Sequence, residues 1–287
     1  MNVAEIVVTG ASGFVAGHVI RRAVHRGLPV VALSRSAAVV DPESTGVRAV
    51  QVERYADYCP APGSVLIHLG EPAQIPAVDQ LGQRHIDDMT RQARELLARP
   101  YTRAIYASSA TIYGDQEAAP HQPAEQPRGG HKVYADAKIQ VEKLFIEAGG
   151  VVARLTNVYG AGMASTNIFS DIVSQLSGSG PLVIREETPI REYLWVDDVA
   201  DGLLAMACGS DRGFFNLSSG SPISCIGLAR LILGLSGQAD RAVHALYPPR
   251  PSTLLLDITR TTTSFGWTPR LSIEDGIKEL LSHYGYH

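Results

Sequence analysis

The run EIVVTGASGFVAGHVI, residues 5 to 20, constrains this chain more than any other stretch. Ile6, Val7, Val8 and Thr9 form an unbroken β-branched series with no polar alternation, the pattern of a strand covered on both faces. Gly10 and Gly13 follow at once, and a helix-like segment begins at Phe14 and Val15. A strand that turns through glycines into a helix aims backbone N–H groups and the positive end of the helix dipole at one point. That makes Gly10, Ser12 and Gly13 candidate anion-binding positions.

The alternation continues through LPVVALS, GVRAVQV, SVLIHLG, the helix-like HIDDMTRQARELLA, and RAIYASSA. A helix with Val133, Ala137, Val141 and Leu144 on one stripe follows, and then GGVVARLTNVYG, read as one strand punctuated by Gly149 and Gly150. Continuous apolar strands separated by helical segments predict an α/β fold, a doubly wound parallel (Rossmann) sheet. After Gly160 the elements shorten: STNIFSDIVSQLSG, PLVIREE, YLWVDDVADGLLAMA, GFFNLSSG, ISCIGLARLILGL and IEDGIKELLSHY. These predict a smaller C-terminal substrate-binding lobe over the carboxyl ends of the strands. The expected division is a dinucleotide-binding domain over 1–160 with contributions from about 191–220, and a lobe over 161–190 and 221–287.

At 287 residues, 45% hydrophobic and 19% charged, the chain has enough apolar residues for a sizeable core. A net charge of -4 without a basic tract argues against a nucleic-acid partner. No apolar run reaches the roughly 18 residues of a membrane span. The first strand-like run begins at Val3, which leaves no room for a signal peptide, and the expected location is the cytoplasm. Cys59, Cys208 and Cys225 are odd in number and lack a CxxC pair, so reduced, mostly buried thiols are expected, without a disulfide framework or metal site.

Further motifs occur in a fixed order: TGASGFVAGHV, YASSATIYGD, Tyr134 and Lys138 in VYADAK, ARLTNVYG, REYLWVDDVA and RTTTSFGWTPRLSIEDGIKELL. At these intervals nearly the whole chain resembles the extended short-chain dehydrogenases/reductases, and within them the nucleotide-sugar epimerase, dehydratase and reductase group. The resemblance implies a nicotinamide dinucleotide held by Gly10, Ser12, Gly13, Phe14, Val15, Arg35, Glu53, Leu69, Gly70, Tyr134 and Lys138. Glu53 matches the family's acid after the third strand and is long enough to reach an adenine amine. The family's third glycine is matched by Ala16, one position before Gly17, and its helix-head asparagine by His85.

Tyr134 and Lys138, four apart on an expected helix, project from one face. A phenol is a poor acid–base group at neutral pH, but a nearby ammonium and a cationic nicotinamide favour its phenolate. By the resemblance, Ser109 shares the substrate oxygen with Tyr134, completing a catalytic set of Ser109, Tyr134 and Lys138, while Ser108 is a structural or cofactor-facing neighbour. Lys138 also binds the nicotinamide ribose, and Thr111 is a secondary sugar contact. Arg191 in IREYLW and Arg250 in PPRPST sit where the resembling enzymes place diphosphate-binding arginines, and Asn157 in LTNVYG where they place a substrate-binding asparagine. Beyond Arg250 the family continues with glycine and an acid; this chain has Pro251, Ser252 and Thr253, which points to a changed nucleotide or sugar. Asp197 and Asp198 are expected as a helix N-terminal cap and domain contacts.

Ser34, Arg35 and Ser36 occupy the place where a carboxylate would bond the adenosine ribose diol and repel a 2′-phosphate, and no acid follows until Asp41. The expected cofactor is therefore NADP, with NAD as the alternative. A reducing cofactor suits net reduction, so the leading reading is an NADPH-dependent reductase of a nucleotide-linked 4-keto sugar. Dehydration is disfavoured because Ala110 and Thr111 replace the Asp-Glu pair that it uses. The Ser-Ala-Thr run resembles 4-epimerases, the alternative reading. A non-catalytic NADP-binding sensor would be expected to lose Tyr134 or Lys138, and a reductase of a small ketone or aldehyde would make Arg191 and Arg250 dispensable. The helices near 85–98 and 133–148 carry apolar positions on more than one face; in the resembling enzymes they pair with their copies, so a homodimer is expected.

Overall fold

The computed structural model describes residues 3–36, 46–72, 75–114, 119–123, 125–127 and 132–286; Asp41 lies outside them. Strands β1 (Ile6–Thr9), β2 (Val30–Ser34), β3 (Val47–Gln51), β4 (Val65–His68), β5 (Arg103–Ser109) and β6 (Val151–Leu155) build the main sheet. Strands β7 (Asn157–Tyr159), β8 (Leu182–Ile184) and β9 (Ile190–Trp195) leave it, and β10 (Gly213–Leu217) returns beside β6. The result is seven parallel strands in the order β10-β6-β5-β4-β1-β2-β3, the doubly wound α/β fold expected from the sequence.

Period-two geometry explains why β1 is apolar throughout. Ile6 and Val8 face one buried cluster and Val7 the other. On the first face lie α1 (Phe14–His25) and, later in the chain, α6 (Val196–Cys208). The second face is covered by α3 (Gln83–Leu97) and α4 (Val133–Glu147), which follow the short α2 (Ile75–Leu81). The sequence reading had no counterpart for α2. The buried stripe of α4 is Ala137, Val141 and Phe145, and the expected Leu144 is only partly buried.

GGVVARLTNVYG is not one strand. It is β6 followed, after Thr156 alone, by β7, which joins a second sheet beside β9. The reason is local: the Thr156 hydroxyl and the Asn157 amide both donate to the Glu192 carbonyl of β9, drawing the chain out of the main sheet. Strands β11 (Pro222–Ser224) and β13 (Thr253–Leu254) also pair with β9, while β12 (Val243–Ala245) pairs with β8. Around them α5 (Ile168–Val173), α7 (Cys225–Leu235), α8 (Thr259–Phe265) and α9 (Ile273–His283) complete the fold. Phe169, Ile172, Leu228, Ile232, Ile277 and Leu280 form a separate core there.

Neither aspartate caps α6, whose N-cap is Trp195. Asp197 instead accepts from His18 on α1, and Asp198 accepts the amides of Arg270 and Leu271, tying the C-terminal segment to the first-face helices. The thiols are free, but Cys59 and Cys208 are exposed and Cys225 only partly covered, against the expectation of burial. Cys208 ends α6, Cys225 begins α7 and Cys59 lies in the connection between β3 and β4. Among the described residues, no helix is long and apolar enough to cross a membrane.

Candidate active site

The carboxyl ends of the parallel strands supply most of the site. At the end of β1, Gly10 has φ +70°, and a Cβ there would sit 2.6 Å from the Gly70 Cα. Only glycine allows the first turn and the β4 end to approach this closely. Gly13 is the N-cap of α1, and no acid occupies the first turn of that helix, so its positive end is uncompensated. Ser12 and Gly13 are exposed while Phe14 and Val15 are half-buried, with Phe14 packing against the second core. Ala16 is 1% exposed in the first-face core, so its methyl is accommodated there. This cradle fits a dinucleotide diphosphate, with Gly10, Ser12 and Gly13 as the groups that would hold it, while Leu69 and Gly70, whose amides donate to Thr9 Oγ1, would line the cofactor site beside it.

Arg35 follows the last residue of β2, exposed, with its guanidinium carbon 5.3 Å from the Tyr55 ring centroid. Beside it the Ser34 and Ser36 hydroxyls are 3.1 Å apart, and the Ser36 amide donates to Ser34 Oγ. Glu53 is also exposed, two residues after β3. The Tyr55 ring fills the space that a Gly70 side chain would need.

Tyr134 and Lys138 stand one turn apart in the first half of α4, with the Lys138 ammonium nitrogen 5.7 Å from the Tyr134 ring centroid. The Tyr134 amide donates to Asp79 of α2. Ser109, the last residue of β5, caps the turn that follows: its Oγ accepts from the Thr111 amide at 3.3 Å and lies 3.0 Å from Thr111 Oγ1. Ser108 is 4% exposed, and its Oγ has no hydrogen-bond partner among the described residues.

A cleft of about 460 Å³ brings Tyr134 and Thr111 together with Asn157, Arg191 and Arg250. These five residues come from α4, the turn after β5, β7, β9 and the segment before β13. Arg191 is held rigidly, donating to the Ser252 carbonyl, to Ser252 Oγ at 2.5 Å and to its neighbour's carbonyl. The Pro-Ser-Thr departure therefore has a visible effect, since Ser252 orients Arg191. Arg250 is exposed, with its amide donating to Thr188.

The sequence reading missed Glu71 and His68. Glu71 Oε2 accepts from Lys138 Nζ at 2.7 Å and from the Tyr106 hydroxyl at 2.7 Å. Burial pushes its carboxyl up, but the Lys138 ammonium and His68 outweigh that and hold it at about 2. One signal was present: Glu71 is the only acid between Asp57 and Asp79, and it lies just past the end of β4 at the ligand-binding edge. His85 is buried in the first turn of α3, and that burial lowers its pKa. Among the described residues, no cluster of three His, Cys, Asp or Glu side chains is arranged to hold a metal ion.

The family model "NAD dependent epimerase/dehydratase family" matches residues 6–216. The chain is similar to dTDP-6-deoxy-L-talose 4-dehydrogenase (NAD(P)(+)) of Kitasatospora kifunensis, at 24% identity over 96% of this chain and 94% of that protein. It is similar to UDP-glucose 4-epimerase of Mycolicibacterium smegmatis, at 25% identity over 97% of both. In fold it resembles the Thermus thermophilus UDP-glucose 4-epimerase in complex with NAD, with TM-score 0.82, 22% identity, and coverage of 98% of this chain and 99% of that one.

Proposed function

Because the chain belongs to the NAD dependent epimerase/dehydratase family, within the extended short-chain dehydrogenases/reductases, we propose that it is an NADPH-dependent reductase of a nucleotide-diphosphate-linked 4-keto sugar. The observation that carries this reading is the cleft in which a tyrosine one helical turn from a buried lysine shares a wall with two arginines. When bound, the nicotinamide supplies hydride to the keto carbon. Tyr134 donates the proton to the keto oxygen, which becomes a hydroxyl, and Ser109 with Thr111 fixes that oxygen by hydrogen bonding. Lys138 keeps a positive charge beside the phenol and bonds the cofactor ribose. Arg191 and Arg250 meet the diphosphate of the substrate and Asn157 the sugar.

Arg35 supports the direction. At the end of β2, a guanidinium seated on Tyr55 and flanked by Ser34 and Ser36 suits a 2′-phosphate. In this reading residues 1–160 with about 191–220 bind the cofactor, residues 161–190 and 221–287 form the substrate lobe, and two copies pair through α3 and α4. The test is to titrate cofactor-stripped protein with NADPH and NADH, then offer 4-keto nucleotide sugars. Consumption of NADPH only with those sugars supports the reading. Cofactor-neutral interconversion of 4-epimers would instead favour the 4-epimerase reading, which the Ser109-Ala110-Thr111 run supports.

A further inference from the structure

Glu71 is buried, charged and unused by the steps above, and its surroundings are ordered by simple counting. Thr9 Oγ1 accepts the amides of Leu69 and Gly70, both at 3.1 Å, so its lone pairs are taken and its single proton goes to His68 Nδ1, 2.7 Å away. The imidazole then carries a hydrogen on Nε2, which lies 3.5 Å from Glu71 Oε1. The other oxygen, Oε2, takes the Tyr106 hydroxyl and the Lys138 ammonium. The carboxylate, 5% exposed, is therefore bonded through Oε2 from β5 and α4, while Oε1 is buried facing His68 of β4 with no hydrogen-bond partner among the described residues.

Lys138 is 8% exposed and spends two of its three N–H groups inward, on Glu71 Oε2 and on the Ala107 carbonyl at 3.0 Å. An ammonium stripped of water discharges unless a counter-ion holds it. The titratable groups facing this pair are Tyr134 and Glu142 on α4, Tyr106 on β5, His68 on β4 and His85 on α3. Glu142 is engaged through both oxygens by Arg154, which leaves Glu71 as the carboxylate in contact with the ammonium.

We propose that Glu71 is a positioning residue of this enzyme: from inside the protein, held by the Tyr106 hydroxyl of β5 and facing the His68 ring that Thr9 orients, it keeps Lys138 charged and leaves one of its N–H groups for the Tyr134 and ribose side. The proposal rests on the assignment of Tyr134 and Lys138 as the reacting pair. Burial lowers the Lys138 pKa, yet Glu71 and Tyr134 raise it by more, and the net direction is upward. With Glu71 neutral, burial would be opposed only by Tyr134 and Glu142.

The chain has four lysines, Lys132, Lys138, Lys143 and Lys278, so 15N-lysine labelling resolves each ammonium by NMR. In the unaltered protein, without substrate, Lys138 should titrate above the usual 10.5; a midpoint below that value overturns the proposal without any variant. In Glu71→Gln the midpoint should fall by about 2 pH units or more. The high-pH limb of kcat for NADPH-dependent sugar reduction should fall with it, while KM for the sugar stays within about twofold. A folded Glu71→Gln protein whose Lys138 midpoint does not move overturns the role of Glu71 alone. Inactivity toward nucleotide sugars, with Lys138 titrating as stated, overturns the proposed reaction alone.

Discussion

Arg35 and Tyr55 are stacked at the carboxyl edge of the main sheet, with the guanidinium carbon 5.3 Å from the ring centroid. The aromatic face limits where the long side chain can swing, so its charge is presented at one place. Replacing it as Arg35→Asp should lower NADPH affinity by roughly 10- to 100-fold, the worth of one or two charge-assisted hydrogen bonds, and leave NADH affinity unchanged or improved. Nicotinamide fluorescence titrations check this. A parallel loss for both cofactors would mean that Arg35 serves the fold.

Tyr134→Phe removes one hydroxyl and keeps the ring at the cleft wall. Turnover should fall by about 10²- to 10⁴-fold, the usual share of a positioned proton donor, while NADPH affinity stays within about threefold. Steady-state kinetics beside a cofactor titration separates the two. Full turnover by this variant would remove Tyr134 from the chemistry.

The Glu71 carboxyl titrates near 2 in the folded protein against an ordinary 4.5. A depressed folded value means that the stabilisation is complete above about 4.5 and disappears as pH falls through about 2. It is worth about 3 kcal/mol, with the Lys138 pairing counted once. Urea unfolding at steps from pH 5 to pH 2 should show stability falling steadily, with a shallower fall in Glu71→Gln. Identical slopes in the two proteins would contradict the pairing.

Gly70→Ala places a methyl carbon 2.3 Å from Tyr55 Cε2, so the ring must move. The expected cost is about 1–3 kcal/mol, read as a lower urea midpoint, with NADPH binding weakened because Arg35 loses its seat. Adding Tyr55→Leu should recover part of the stability and none of the NADPH preference.

The central sheet was legible because strands covered on both faces write themselves as continuous apolar runs, as Ile6–Thr9 and Val65–His68 do. Tyr134 and Lys138 were legible because one helical turn separates them. The break between β6 and β7 was not, since a run of apolar residues does not say which sheet it joins, and the deciding bonds from Thr156 and Asn157 reach Glu192, 35 or more residues away. Glu71 was hidden for the same reason. Its partners Tyr106 and Lys138 lie 35 and 67 residues further along the chain, and a single acid after a strand looks like any loop residue until the fold closes over it.

The path from β6 into β7 and back through β10 makes the two sheets inseparable as fragments. A polypeptide ending at residue 160 would expose the edge of β6 that β10 covers and would strip β7 from β9. Limited proteolysis or gene splitting there should yield two aggregation-prone pieces, each with an unpaired strand edge, that regain solubility only when supplied together. The two sheets are thus interlaced along the chain, and an exchange of the β9 sheet between relatives would need joints on both sides of β10 as well as one after β6.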